Sequence, residues 1–323
     1  MHLPAARAIV AALAGATLLL TACAPTSGNS ESGASASAGD GIVEVVASTS
    51  VYGDIVSSIG ADKVRVTSII ARTSQDPHSY EATTQDKLAV SKAGLVVENG
   101  GGYDDFMQKL ANDTGLDPAN VLNAVELSGL ASEEPAGPSA SAGADGHGQA
   151  GFNEHVWYSL PAMVRLADAV AAKLGELEPS SAETFRSNAA AFKESLGGLD
   201  AKLAGIKASA GAAPVAVTEP VPLYLLEAAG LENRTPDEYT AAIEEDTDVP
   251  PAVLKATIDL MGSGSIRLLA YNQQTEGPQT VAVKDAAAAA GVPVVNFSET
   301  LPEGKSYLQW MTENVDNIGK ALA

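Results

Sequence analysis

The sequence predicts an α/β protein of two lobes, each with a parallel β-sheet flanked by helices, joined by one long rigid helix. Three observations carry this expectation. Short β-branched runs alternate with helical stretches in a block from about Ile42 to Leu130, and do so again in a second block from about Ala213. Such alternation favours parallel sheets, because parallel neighbours need a crossover and a helix supplies it. Between the blocks, Phe185, Ala189, Phe192, Leu196, Leu199, Leu203 and Ile206 recur at steps of four and three, which places one apolar stripe along a single helix. About 25 helical residues at 1.5 Å rise span roughly 37 Å, enough to run along both lobes. A helix resists bending, so a large hinge closure is disfavoured.

The elements follow in chain order. Arg7 gives a short basic region, and Ile9 to Leu20 is an apolar run too short to span a bilayer comfortably. It ends in Leu20-Thr21-Ala22-Cys23, which resembles a bacterial lipobox, where the cysteine thiol is lipidated and becomes the mature N-terminus. Residues 1–23 are therefore expected to be a lipoprotein signal peptide, with Cys23 the lipid anchor. Residues 24–41, rich in Ser, Gly and Ala, read as a flexible tether. A globular domain held on the extracytoplasmic face of the cell membrane is the expected result. Cys23 is the sole cysteine, so the mature fold has no intramolecular disulfide and no thiolate metal site.

The N-terminal lobe is expected over residues 42–158, with strands Ile42–Ser48, Val64–Ile70 and Leu95–Glu98 and helices near Val51–Ile59 and Thr84–Ala93. Within it, residues 131–151 form a low-complexity loop carrying one histidine, His147. Residues 159–208 are the linking helical segment, beginning near Leu160. The C-terminal lobe, residues 209–323, has strands Pro214–Thr218, Ser265–Tyr271 and Val292–Phe297. Its helices lie near Pro222–Ala229, Ala252–Met261, Thr280–Ala290 and Tyr307–Leu322.

Acidic residues number 40 and basic ones 19, a formal net charge of −21. Nucleic acid is excluded as a partner, since phosphate binding needs a basic face. The charge serves solubility at a cell surface first, and a field that gathers cations second. No H-E-x-x-H and no G-x-S-x-G occurs, which argues against a metal-dependent or serine hydrolase.

Only four histidines occur in 323 residues. His2 lies in the leader and His147 in the low-complexity loop. His78 follows the strand ending near Ile70, and His155 precedes the helix beginning near Leu160. Glu219 ends the strand Pro214–Thr218, and Glu299 follows Val292–Phe297. In open α/β sheets ligands bind in the crevice outside the carboxyl ends of the strands, so two facing lobes could set the two histidines opposite the two acids. Neutral imidazoles with carboxylates suit a divalent transition metal. Four protein ligands fill a tetrahedral shell and leave no open position for an activated water, so such a site binds rather than catalyses. Each residue also has a structural alternative. His78 could cap a helix start, His155 could be a packed histidine beside Trp157, Glu219 an exposed turn acid, and Glu299 a helix N-terminal residue in Ser298-Glu299-Thr300.

Asp76-Pro77-His78-Ser79-Tyr80-Glu81, Val96-Val97-Glu98-Asn99-Gly100-Gly101, Asn153-Glu154-His155-Val156-Trp157, Glu219-Pro220-Val221-Pro222-Leu223-Tyr224-Leu225 and Phe297-Ser298-Glu299-Thr300-Leu301 together resemble the metal-binding solute-binding proteins of zinc and manganese ABC importers. The likeness runs over nearly all of the mature chain. It implies His78, His155, Glu219 and Glu299 as the ligands of one divalent ion, Mn²⁺ or Zn²⁺ with Fe²⁺ a third candidate, carried as cargo. It implies an ABC permease and, through it, a cytoplasmic ATPase as partners, and a monomer. Glu154 stands where that family usually has Pro, and Glu299 is one methylene longer than the usual Asp, so Asn272 or Glu276 could supply or support the fourth ligand. Two carboxylates harden the site towards manganese, while intrinsic affinity favours zinc. A surface adhesin with a metal-stabilised fold is the competing expectation.

Overall fold

The structure, a computed structural model, describes residues 41–75, 77–132 and 152–323. Residues 1–40 with His2 and the lipid-anchor residue Cys23, Asp76, and residues 133–151 with His147 lie outside the described residues. No helix among the described residues is long and apolar enough to cross a membrane.

The first block runs β1 (Val43–Thr49), α1 (Ser50–Gly60), β2 (Val64–Ile70), α2 (Thr84–Val90), β3 (Leu95–Glu98), α3 (Asp105–Thr114), β4 (Val121–Asn123) and α4 (Ala124–Ser128). Its four strands form one sheet in the order β2-β1-β3-β4, every pair parallel. Two helices follow, α5 (Leu160–Leu177) and α6 (Ala182–Ala210). The second block runs β5 (Pro214–Val217), α7 (Leu223–Ala228), β6 (Glu232–Asn233), α8 (Asp237–Glu244), α9 (Pro251–Met261), β7 (Leu269–Asn272), α10 (Pro278–Ala289), β8 (Val294–Phe297) and α11 (Tyr307–Leu322). Its sheet order, β6-β5-β7-β8, repeats that of the first, again all parallel. In both sheets the strand order reverses beside the first strand, between β1 and β3 and between β5 and β7. That switch point opens a crevice at the strands' carboxyl ends.

Sequence explains most of this. β1 is buried along nearly its whole length, as a strand covered on both faces must be. On α6 the stripe Phe185, Ala189, Phe192, Leu196, Leu199 and Leu203 is buried, and Ile206 is half-buried. At 29 residues this helix is roughly 43 Å long at 1.5 Å per residue. One hydrophobic core runs from Val45 and Val97 through Trp157, Leu166, Phe192 and Leu203 to Val217, Phe297 and Trp310. The helices α5 and α6 are thus buried together with both sheets, while smaller clusters sit elsewhere in each block.

Some elements escape the sequence pattern. β4 and β6 have three and two residues, too few to show a period. α8 ends in the acidic stretch around Glu244, which reads as solvated loop. The strand expected at Ser265–Tyr271 is assigned only from Leu269, although Arg267 N–H already donates to Pro214 O at 2.9 Å. The turn after β3 uses three consecutive glycines, Gly100, Gly101 and Gly102, with φ of 79°, 70° and 101°, a region costly for residues with a Cβ. A Cβ at Gly100 would lie 2.2 Å from the Asn123 amide. The tight turn brings Tyr103 back over the end of the sheet.

Candidate metal centre

The strand ends deliver the polar side chains. His78 lies in the turn between β2 and α2, and Tyr103 follows β3. Glu219 lies just past β5, Asn272 ends β7, and Glu299 follows β8. His155 leads into a single 3₁₀ turn, Val156–Tyr158, ahead of α5. Among the described residues, ligand atoms of His78, His155 and Glu299 lie within 4.8 Å of one another. His78 Nε2 is 3.9 Å from Glu299 Oε2. Around a metal with bonds near 2.1 Å, tetrahedral ligand atoms sit about 3.4 Å apart, so the observed spacing is close to what one ion demands.

His155 is 1 % exposed, and its orientation is fixed. Its Nδ1 is 2.8 Å from Asn153 Oδ1, which also accepts the His155 backbone N–H at 3.1 Å. An amide oxygen only accepts, so Nδ1 carries the proton and the lone pair is left on Nε2. Asn153 is itself held across the cleft. Its amide donates to Pro220 O at 3.1 Å, and its carbonyl accepts from Tyr224 Oη at 2.7 Å. Burial, with the nearby His78 second, holds the His155 imidazole well below the usual histidine range. It is neutral, as a ligand must be.

The acids are tied to one another. Asn272 Nδ2 donates to Glu219 Oε2 and to Glu299 Oε1, the latter at 2.8 Å. Thr275 Oγ1 also donates to Glu219 Oε2, and Tyr103 Oη donates to Glu299 Oε2 at 3.2 Å. Gln274 Oε1 accepts the backbone N–H groups of Glu299 and Thr300. Asn272 thus turns its amide donor to both carboxylates, and its Oδ1 accepts the Gln274 backbone N–H at 3.1 Å. Glu276 is occupied elsewhere, accepting from Tyr271 Oη at 2.8 Å and pairing with Lys284 at 3.1 Å. Glu219 is not one of the three residues within 4.8 Å of one another; the Asn272 amide links it to Glu299.

Two further acids crowd the cleft. Glu154 Oε1 is 3.9 Å from His78 Nδ1, and Glu244 Oε1 is 4.0 Å from His155 Nδ1. Burial pushes the Glu154 carboxyl up. Burial, followed by Glu154, Glu219 and Glu299, pushes Glu244 up to about 8. Carboxylates that raise one another in this way favour a cation between them. Tyr103 closes one side, with its ring edge-on to His78 at 4.8 Å and 5.8 Å from His155. Tyr103, Asn153, Gln274, Thr275 and Glu244 did not stand out in the sequence. Only Asn153 left a signal, the Asn-x-His spacing that lets a side-chain carbonyl reach a histidine two residues on.

The protein-family model described as ZnuA, zinc-uptake complex component A periplasmic, matches residues 45–321. The manganese-binding lipoprotein MntA of Bacillus subtilis is 32% identical over 196 residues, 59% of this chain and 56% of that protein, so this match spans little more than half of either. The metal ABC transporter substrate-binding lipoprotein ScbA of Streptococcus cristatus is 26% identical over an aligned 334 residues, 94% of each chain. Among solved structures, the periplasmic zinc binding protein TroA from Treponema pallidum has the same fold. Its TM-score is 0.69 at 21% identity, covering 88% of this chain and 100% of that one. The family match takes in both sheets, the long helix between them and His78, His155, Glu219 and Glu299, so the chain belongs to the ZnuA family of zinc-uptake component A proteins.

Proposed function

We propose that this chain is an extracytoplasmic solute-binding lipoprotein. It captures one Mn²⁺ or Zn²⁺ ion between its two sheets and passes it to an ABC import permease driven by a cytoplasmic ATPase. His78, His155, Glu219 and Glu299 hold the ion, with Fe²⁺ a weaker fit. Cys23 anchors the protein by lipid to the outer face of the cell membrane, and the protein works as a monomer. The observation that carries this reading is the meeting of two imidazoles and the Glu299 carboxylate within 4.8 Å, with Glu219 bound to the same Asn272 amide. A shell of four protein ligands leaves no position for an activated water, which favours carriage over catalysis. Two carboxylates offset the charge of a dication and suit the harder manganese, and imidazole serves both metals.

The test is a competition titration of the chelator-stripped chain with Mn²⁺ and Zn²⁺. One equivalent binds tightly. Asn272→Ala, which frees both carboxylates to turn, weakens that binding by about 10–100-fold, the usual cost of losing a ligand's hydrogen-bond partner. A chain that takes up no equivalent of either metal, or an N272A variant that binds like the parent, overturns the assignment of the site.

A further inference from the structure

Around the glycine turn that precedes Tyr103 is an acidic cavity of about 260 Å³, its lining including Glu98, Asp104, Asp105, Asn123, Glu126 and the three glycines. Glu98, the last residue of β3, pairs in register with Asn123, the last of β4. It is 4 % exposed. Asn123 Nδ2 donates to Glu98 Oε1 at 3.0 Å, while Glu98 Oε2 is buried with no hydrogen-bond partner. Burial first, then Asp104, pushes the Glu98 carboxyl up to about 7, the mark of a charge with no counter-ion nearby. Asp104 supplies no counter-charge: it is an acid itself, its oxygens accepting the backbone N–H groups of Asn99 and Gly100 at 2.6 and 2.8 Å.

We propose that this cavity is a second cation site, separate from the cleft, which takes a hard divalent ion, Ca²⁺ or Mg²⁺, on Glu98 Oε2. The side chains lining it that can bind a metal, the carboxylates and the Asn123 and Gln108 amides, do so through oxygen, with no imidazole or thiolate among them, and hard cations select oxygen. No three carboxylates of the cavity come within 4.8 Å of one another. The ion is therefore held directly by Glu98 and keeps part of its water shell, through which it reaches Asp105 and Glu126. A water molecule occupies about 30 Å³ of liquid, so the cavity has room for the ion and several waters. Soft or imidazole-seeking metals have no reason to prefer it, and the cleft quartet has no member in it.

The experiment loads the full chain with one equivalent of Mn²⁺ and then titrates CaCl₂ or MgCl₂ by calorimetry, with thermal unfolding as a second readout. One further binding event is expected, with Kd about 10⁻⁴–10⁻³ M, the range of extracellular Ca²⁺ modules. Glu98→Gln loses it by at least tenfold and keeps its Mn²⁺ equivalent. The paired surface change Asp105→Asn with Glu126→Gln, which spares the buried carboxylate and so the fold, weakens the event several-fold. The same event persists in His155→Ala, which separates it from the cleft. No second event in the Mn²⁺-loaded parent overturns the proposal, as does a Kd unchanged in E98Q or in the paired variant.

Discussion

Replacing His155 by alanine removes tight metal binding while the protein still folds. The affinity for Mn²⁺ and Zn²⁺ falls by more than about 100-fold, beyond the 10–100-fold typical of losing only a supporting group. The stabilisation that metal gives the parent, about 2.7 kcal/mol when free metal is 100 times Kd, disappears from thermal unfolding curves. The reason is geometric. Asn153 pins Nδ1 and leaves Nε2 as the lone pair of a neutral, buried ring, so its loss removes the one buried imidazole of the cleft and leaves only acids, Glu154 and Glu244, beside the gap. Leaving Glu299, Glu219 and His78 without it also leaves the carboxylates without the ligand that closes the shell. A histidine that merely packs beside Trp157, 5.1 Å away between ring centroids, behaves differently. Its loss lowers the stability of the metal-free protein and leaves the affinity untouched. Metal competition and metal-free urea unfolding on the same variant separate the two, and an H155A protein that binds metal like the parent sinks the quartet.

His155 also shows how far the sequence reaches. The two lobes were legible because their strands are short apolar runs and α6 carries an unbroken stripe from Phe185 to Leu203. Period is a local signal, and these elements are long enough to display it. β4 and β6 are set by pairing with β3 and β5, contacts that no local pattern encodes. At the cleft, the histidines were conspicuous by rarity and by place, and Glu219 and Glu299 by following strands. What the sequence could not give was the wiring between them. Asn272 lies 53 residues from Glu219 and 27 from Glu299, and Tyr103 lies 196 from Glu299. Those distances close only once both sheets are built. Glu244 was hidden for a different reason. In Glu244-Glu245-Asp246-Thr247-Asp248 it looks like one solvated acid among several, and only the fold turns it in towards His155. Glu276 made the opposite impression, an acid beside the site by sequence that the fold commits to Lys284.

Glu98→Gln is expected to flatten the pH dependence of the cation-free protein, removing a stability loss of about 3 kcal/mol that the parent suffers as pH rises from 5 to 8. The carboxyl of Glu98 is pushed from its ordinary 4.5 up to about 7. Between those values the folded chain holds a proton that the unfolded chain has given up. Stability on this account is therefore complete below pH 4.5, falls as pH rises, and is lost above pH 7. A shift of about 2.5 units at 1.36 kcal/mol per unit gives the magnitude. Glutamine keeps an oxygen for Asn123 and carries no charge to desolvate; the cost of burying its amide N–H groups at the Oε2 position is the same at every pH, so its profile lacks this slope. Asp54 and Asp104, both raised by burial, tilt parent and variant alike in the same direction. His155, held low, acts the other way, adding stability above about pH 6.5 that is lost as pH falls. Asp54 and His155 cancel in the difference between the two proteins, so urea unfolding in a chelator at pH 5 and pH 8 isolates Glu98 together with the Asp104 coupled to it. Parallel profiles would show that Oε2 is solvated or paired after all. A buried carboxylate with one idle oxygen costs stability at neutral pH and contributes nothing to the core, which is why a counter-ion is the natural account of it. At pH 8, calcium restores part of the lost stability to the parent and none to E98Q, because only the parent has a charge there to neutralise.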